Sequence, residues 1–342
     1  MKVRINSRVH VSDPTPEMRQ FCEDNLIIDN PEYAKKLRMG RWLGNTPKKL
    51  YLYEEDGDNL ILPYGCLKDV LIICKDAEIV NEIVEHETIR SVRWAMKIPL
   101  YDYQQKAVDK MLSAYYGILK APAGSGKTQM GLALAATINK KTLWLTHTKD
   151  LINQSKDRCE KYISYQDTGT IVEGHVKVGR YFTFATVQTM ARLDLSQFRD
   201  TWDVIIVDEV HRVAASPTSV TMFQKVLNSL SARHKYGLSA TVHRADGMIK
   251  STFALIGNIE YEVPESEVVG KIMQITVNPR PTNMPMTREF LDTDGTIMFT
   301  RLITLMTLEE ERNQQIVNDL VANKKHYNLI LSDRLAHLDN QQ

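Results

Sequence analysis

The sequence predicts an α/β protein organised on a parallel sheet, and three observations predict it. Short apolar runs, Ile118-Leu119, Leu143 to Leu145, Phe182 to Ala185 and Val204 to Val207, have the length of buried strands. Helix-like stretches, Lys127 to Thr137, Lys149 to Lys161 and Thr221 to Leu230, alternate with them, which is the pattern of βαβ units. The composition is that of an ordinary globular chain, with 43% hydrophobic and 25% charged residues among 342, enough for about two domains of ~150 residues. Disordered, collagen-like and disulfide-scaffold classes are thereby excluded. The 43 Lys+Arg against 42 Asp+Glu leave a formal charge of +1, so any surface for a polyanion must be local.

Residues 1–95 read as a small α/β accessory unit. Val3, Ile5 and Val9 mark a strand, and a helix runs from Glu17 to Leu26 after Pro14 and Pro16. Leu50 to Glu54 and Leu60 to Leu62 form a hairpin around Asp56-Gly57-Asp58-Asn59. Between helix and hairpin lies a basic loop, residues 31–50, in which Lys35, Lys36, Arg38, Arg41, Lys48 and Lys49 face only Glu32, a local charge of +5 beside Tyr33 and Trp42. Residues 96–262 hold the strand and helix alternation. Residues 263–307 carry Pro264, Pro279, Pro281 and Pro285 and read as a linker or crossing segment. Residues 308–342 open with a helix, Leu308 to Asn323, and continue into a strand, Leu329 to Leu331. Cys22, Cys66, Cys74 and Cys159 are scattered with no C-x-x-C pair, so neither a zinc site nor a disulfide framework is expected. The first residues lack the apolar core of a signal peptide and no stretch has the ~18 to 20 apolar residues of a membrane span, so a soluble, cytoplasmic protein without a membrane partner is expected.

The strongest chemical signal follows the first strand of the 96–262 region. Ala121, Pro122, Ala123, Gly124, Ser125, Gly126, Lys127 and Thr128 separate an apolar strand from a helix. A phosphate chain needs many donors at short range: small residues turn backbone N–H groups inward, the helix presents its positive end, Lys127 reaches the β- and γ-phosphates, and Thr128 ligates Mg²⁺. The first position is Ala121 where the general pattern has Gly. A second signal ends another strand, where Trp202 to Val207 lead into Asp208-Glu209-Val210-His211. Asp208 would hold Mg²⁺, directly or through water, and Glu209 would polarise the attacking water.

The Asp208-Glu-Val-His211 run resembles the DExH box of superfamily 2 helicases, and further motifs stand in that family's order. Leu100-Tyr-Asp-Tyr103-Gln104 resembles the Q motif, which implies that Gln104 reads the adenine edge. Leu143 to Thr148 resembles motif Ia, and Phe184-Ala-Thr186-Val-Gln188-Thr189 resembles the strand that contacts the nucleic-acid backbone. Gly237-Leu-Ser239-Ala-Thr241 resembles the motif that couples hydrolysis to strand movement, and His211, Arg244 and Asp246 are assigned to coupling with Ser239 and Thr241. The Arg244-Ala-Asp246-Gly247 run resembles the DNA-remodelling branch. Thr146, Thr148, Thr186, Gln188 and Thr189 stand at strand ends, where hydroxyls and amides donate to phosphates without reading bases. Leu329 to Leu338 resembles the first strand motif of a second RecA-like lobe; motifs V and VI, with the arginine finger, have no counterpart in the sequence.

Residues 30–65 resemble the N-terminal module of phage helicases of the UvsW type, which remodel forks and migrate branches. The implied layout is an accessory duplex-binding module, a RecA-like lobe with the ATP site, and the start of a second lobe. Lys35, Lys36, Arg38, Arg41 and Trp42 are the candidate duplex contacts. The implied function is an ATP- and Mg²⁺-dependent DNA helicase or translocase on forked, branched or duplex DNA. Two alternatives stand beside it: a non-hydrolysing ATP- and DNA-binding fragment completed by a second polypeptide that supplies the rest of lobe 2, and the motor subunit of a restriction system.

Overall fold

The computed structural model describes residues 1–88, 98–242, 247–270, 277–282, 290–292, 295, 297–325, 327–332 and 334. The chain divides into two compact units, Met1–Met273 and Gln274–Gln342.

The first unit begins with β1 (Lys2–Ile5) and β2 (Arg8–Ser12), an antiparallel pair whose Val3, Ile5, Val9 and Val11 all point into the core. Helix α1 (Pro16–Asn25) starts where the Thr15 hydroxyl accepts from Met18 N at 3.2 Å and proline occupies the first helical position. Strand β3 (Ile27–Asp29) leads into α2 (Pro31–Arg38), capped by Asn30, whose Oδ1 accepts from Glu32 N at 2.9 Å. After β4 (Lys49–Tyr51) come β5 (Glu54–Asp56), β6 (Asn59–Pro63), α3 (Leu67–Ile73) and β7 (Glu78–Asn81). The five-stranded sheet has the order β5-β6-β2-β1-β7, with β7 parallel to β1.

Two expectations for this region are corrected. Leu50 to Glu54 is not one hairpin strand: β4 pairs with β3, and Leu52 N continues that ladder by donating to Leu26 O at 2.9 Å, so only Glu54–Asp56 is left to pair with β6. The basic segment is not all loop, because its first half is α2, which places Lys35, Lys36 and Arg38 on a helix.

The second sheet follows α4 (Asp102–Ala114). Its elements are β8 (Tyr116–Lys120), α5 (Lys127–Ile138), β9 (Thr142–Thr146), α6 (Lys149–Cys159), β10 (Thr168–Val172), β11 (His175–Lys177), β12 (Phe182–Thr186), α7 (Val187–Met190), β13 (Val204–Asp208), α8 (Pro217–Ser229), β14 (His234–Ser239), α9 (Ile249–Ile256), β15 (Ile259–Glu262) and α10 (Glu265–Val268). The order is β11-β10-β12-β9-β13-β14-β8-β15, and every pair is parallel except β10 with β11. This is the parallel α/β sheet that the strand and helix alternation predicts. β9, β12, β13 and β14 are buried along their whole length, as strands covered by helices on both faces must be. The two sheets share a core: Val9, Leu60, Leu62, Tyr64 and Cys66 cluster with Tyr116, Ala214, Val220, Met248 and Ala254 of the lobe. All four cysteines are buried and unpaired.

The second unit contains α11 (Phe299–Leu308) and α12 (Glu310–Ala322). The expected linker therefore carries a helix of its own, and the break between α11 and α12 falls at Glu309, inside the region read as one helix. Leu329 to Leu331, expected as a strand, pairs with no strand among the described residues; Leu329 and Leu331 are exposed.

Candidate functional site

In the sheet, β13, β14 and β8 are consecutive and parallel, so their carboxyl ends share one edge. That edge gathers the phosphate loop after β8, Asp208 at the end of β13 with Glu209 just beyond it, and Ser239 at the end of β14. Ala121 N donates to Ser239 O at 2.9 Å, which joins the loop to the β14 end directly.

The loop runs from Ala121 to Thr128. Gly124 and Gly126 have φ of +77° and +82°, left-handed values that turn the chain sharply before α5. A Cβ on Gly126 would stand 2.5 Å from Gln104 Nε2, so no other residue fits there without displacing that amide. The Ser125 carbonyl accepts from Gln104 Nε2 at 2.8 Å and from the Tyr103 hydroxyl at 2.9 Å. Gln104 Oε1 accepts from Tyr101 N at 2.9 Å. Both ends of the Gln104 amide are thus used inside the protein. Pro122 is half-buried and Ala123 exposed. Ser125 Oγ is buried with no hydrogen-bond partner. Lys127 Nζ lies 3.5 Å from Ala121 O, a weak contact that leaves the ammonium available, and Thr128 is half-buried on the first turn of α5.

The two carboxyls are held apart in protonation. Burial first, then the neighbouring Glu209 charge, raises Asp208 to about 6. The hydrogen bond from His211, assisted by the Lys127 charge, holds Glu209 below its ordinary range. Asp208 Oδ1 accepts from Glu209 N at 3.0 Å, and Ser155 Oγ donates to Oδ2 at 3.5 Å. Glu209 sits at φ +51°, an uncommon conformation for a residue with a side chain. His211 Nδ1 lies 3.2 Å from Glu209 Oε2 and 2.9 Å from Ser239 Oγ. Ser239 gives its one hydroxyl proton to Thr241 O at 2.8 Å and accepts from Thr241 N at 3.2 Å, so His211 Nδ1 must carry the proton it shares with Ser239. Glu209, His211, Ser239 and Thr241 form one hydrogen-bonded chain across β13 and β14.

These residues fit a magnesium nucleotide. The glycine turns, the start of α5, Lys127 and the orphaned Ser125 hydroxyl suit phosphates, and Thr128 and Asp208 offer hard oxygens of the kind that Mg²⁺ takes. A cation bound there would offset the burial and the neighbouring Glu209 charge that together raise Asp208.

The strand-end polar residues are placed differently from the expectation of free donors. Thr146 Oγ1 donates to Thr148 O at 2.9 Å, and Thr148 caps α6 by accepting from Leu151 N at 3.4 Å. Thr186 Oγ1 donates to Thr189 Oγ1 at 2.9 Å, which accepts from Glu173 N at 3.2 Å. Gln188 Nε2 donates to His147 O at 2.9 Å, while its Oε1 is buried without a hydrogen-bond partner. Thr146, Thr186 and Thr189 are buried and shape the loops, whereas Thr148 is exposed beside them. Arg244 and Asp246 lie outside the described residues.

Lys35 and Arg38 on α2, and Arg41 and Trp42 just after it, are exposed; Trp42 is 89% exposed. Lys36 is committed to its own helix and loop, at 3.1 Å from Glu32 Oε1 and 2.7 Å from Thr46 Oγ1. With the start of α8 at Pro217, Thr218 and Thr221, this segment lines a cleft of about 450 Å³. Two contributors were not singled out from the sequence. Tyr103 carried a signal, its place beside Gln104; Ser155 carried none, since nothing in α6 marks the residue that meets Asp208.

Residues 97–244 match the family model described as "Type III restriction enzyme, res subunit". The chain is 32% identical over 193 residues to the "DNA 3'-5' translocase XPB2" of Sulfurisphaera tokodaii, covering 55% of this chain and 42% of that protein. It is 32% identical over 184 residues to the "DNA 3'-5' helicase XPB" of Kineococcus radiotolerans, covering 51% of this chain and 31% of that one. The chain thus spans less than half the length of these relatives. Among solved structures, the UvsW helicase of bacteriophage T4 superposes with a TM-score of 0.55 at 19% identity, over 77% of this chain and 100% of that one. A second T4 UvsW structure superposes with a TM-score of 0.54 at 18% identity, over 98% of this chain and 71% of that one. With a phosphate loop, a DEVH strand end and the His211–Ser239 link on one sheet edge, the chain is similar over residues 97–244 to that restriction-enzyme family and to the XPB-type relatives, and it has a UvsW-like fold.

Proposed function

We propose that the chain is an ATP- and Mg²⁺-dependent DNA helicase or translocase that unwinds or branch-migrates forked or junction DNA. The observation that carries this is the hydrogen-bonded chain from Glu209 through His211 to Ser239, adjoining the phosphate loop. It links the residue suited to orienting the attacking water to the strand end from which lobe movement would be driven. Lys127 would hold the phosphates, Thr128 and Asp208 the metal, Gln104 the base and Glu209 the water. Bound Mg²⁺ would supply neutralisation of the charge that builds on the transferred phosphoryl group. Lys35, Arg38, Arg41 and Trp42 would grip duplex phosphates and a terminal base pair, and Thr148 the strand on the lobe. The relatives named as DNA helicases and a DNA translocase support DNA as the partner.

The test is ATP hydrolysis by the 342-residue chain with and without forked DNA, with Lys127→Ala as control. Hydrolysis rising about tenfold or more with the fork, and falling to background in the control, supports an autonomous motor. Nucleotide binding without fork-stimulated hydrolysis refutes it and leaves the second reading, a non-hydrolysing ATP- and DNA-binding protein.

A further inference from the structure

Lys235, the second residue of β14, is completely buried. Its Nζ donates to Ser7 O at 3.2 Å and to Leu227 O at 3.0 Å, and lies 4.7 Å from the centre of the Tyr64 ring. Ser7 is in the β1–β2 turn and Tyr64 follows β6, both in the N-terminal module; Leu227 belongs to α8 of the lobe. Two carbonyls and an aromatic face are a matching set for the three N–H bonds of an ammonium. They meet a charge that burial disfavours enough to bring its pKa down to about 7. Such a group is costly to bury, and nothing in the nucleotide site uses it.

Its neighbours make the same junction. Tyr64 OH donates to Arg233 O at 3.1 Å, and Lys68 N donates to Tyr116 OH at 2.7 Å. Glu85 pairs with Arg233 and, at 3.3 Å, with Lys140. His86 N and Nδ1 lie 2.9 and 3.0 Å from Asp203 Oδ1. A Cβ on Gly65 would stand 2.5 Å from the carbonyls of Phe253 and Ala254, so the turn after β6 sits directly on the α9 backbone. Asp203 and Lys235 mark the amino ends of β13 and β14. Asp208-Glu209 and Ser239 mark their carboxyl ends, about 17 Å away along β13 and about 13 Å along β14.

We propose that Lys235 is a positioning residue: from inside β14 its buried Nζ, donating to the β1–β2 turn, clamps that turn, so that a duplex gripped by the N-terminal module is held at a fixed place relative to the Glu209 end of the same sheet. The second half rests on the reading that the module grips duplex.

The test uses the full chain with Lys235→Met, which keeps length and fills the space without the ammonium. Hydrogen exchange of peptides covering residues 5–10 and 62–68 should speed up about 10- to 100-fold, the worth of charge-assisted hydrogen bonds, while β9 and β12 stay protected. Affinity for a fluorescent ATP analogue should stay within about twofold of the unsubstituted chain, since no nucleotide contact is removed. Short duplex should shift that affinity by about fivefold or more in the unsubstituted chain and by almost nothing in the variant. Unchanged exchange in the two peptides overturns the clamp, and a duplex effect that survives a loosened turn overturns the coupling. If the unsubstituted chain binds no duplex, the grip and the coupling fall together, and exchange alone decides the clamp. If Lys235→Met does not fold, Tyr64→Leu removes the ring from the module side and must give the same pattern.

Discussion

Asp208 and Glu209 are adjacent in sequence and opposite in proton affinity, which separates their substitutions. Asp208 is raised to about 6 from an ordinary 3.8, so the folded protein binds more protons than the unfolded chain between those values. Its contribution to stability is full below pH 4 and is lost as pH rises through 6. Asp208→Asn removes that loss: without nucleotide or metal at pH 7.5, the variant should melt several degrees higher, a gain of about 1–3 kcal/mol, with the gap closing below pH 4. A thermal-denaturation series in pH reads this out, and an unchanged or lower melting temperature at pH 7.5 contradicts it. Glu209→Gln should behave otherwise. It keeps the backbone and phosphate loop, so analogue binding persists while turnover drops about 10²- to 10³-fold. Retained turnover would remove Glu209 from the water-orienting role. The carboxyl pair was legible in the sequence because it is contiguous. The Ser155 contact and the His211 tautomer were not, because they depend on residues 53 and 28 positions away.

Helix α2 shows how an element hides. None of its residues is buried, so no apolar stripe announces a helix, and the segment reads as a basic loop. The cap at Asn30 and Pro31 was the available signal. The helix also sorts the cations. Lys35→Ala, Arg38→Ala and Arg41→Ala together should weaken duplex binding and reduce the slope of log K against log salt by about 0.9 per lost phosphate contact. Lys36→Ala should instead loosen the 36–46 loop and change the slope less, because Lys36 is already paired with Glu32 and Thr46. Titrations at several salt concentrations separate the two, and equal slopes for all variants would deny the module a phosphate contact. The β3–β4 pairing was equally hidden: three-residue strands are too short for periodicity to assign a partner.

Over the whole molecule, the nucleotide edge was legible because each motif is a contiguous run at a strand end, and a parallel sheet brings such runs together by topology alone. The fusion of the two sheets was not legible. It depends on backbone carbonyls, such as Ser7 O to Lys235, 228 positions apart, and on a shared core that no local pattern encodes. The shared core makes the unit Met1–Met273 the smallest piece expected to fold. Expressed alone, it should melt in one transition and bind an ATP analogue within about twofold of the full chain, whereas a piece lacking residues 1–88 exposes Tyr116, Met248 and Ala254 and should aggregate. Two separate melting transitions for Met1–Met273 would contradict a common core. The four thiols have a practical consequence. Each is enclosed, and burial raises its pKa, so the native chain should be almost silent towards maleimide dyes. A single cysteine placed at exposed Trp42 would then be the one reactive handle, and a fluorophore there would watch the tip of the basic segment without rebuilding the rest of the chain.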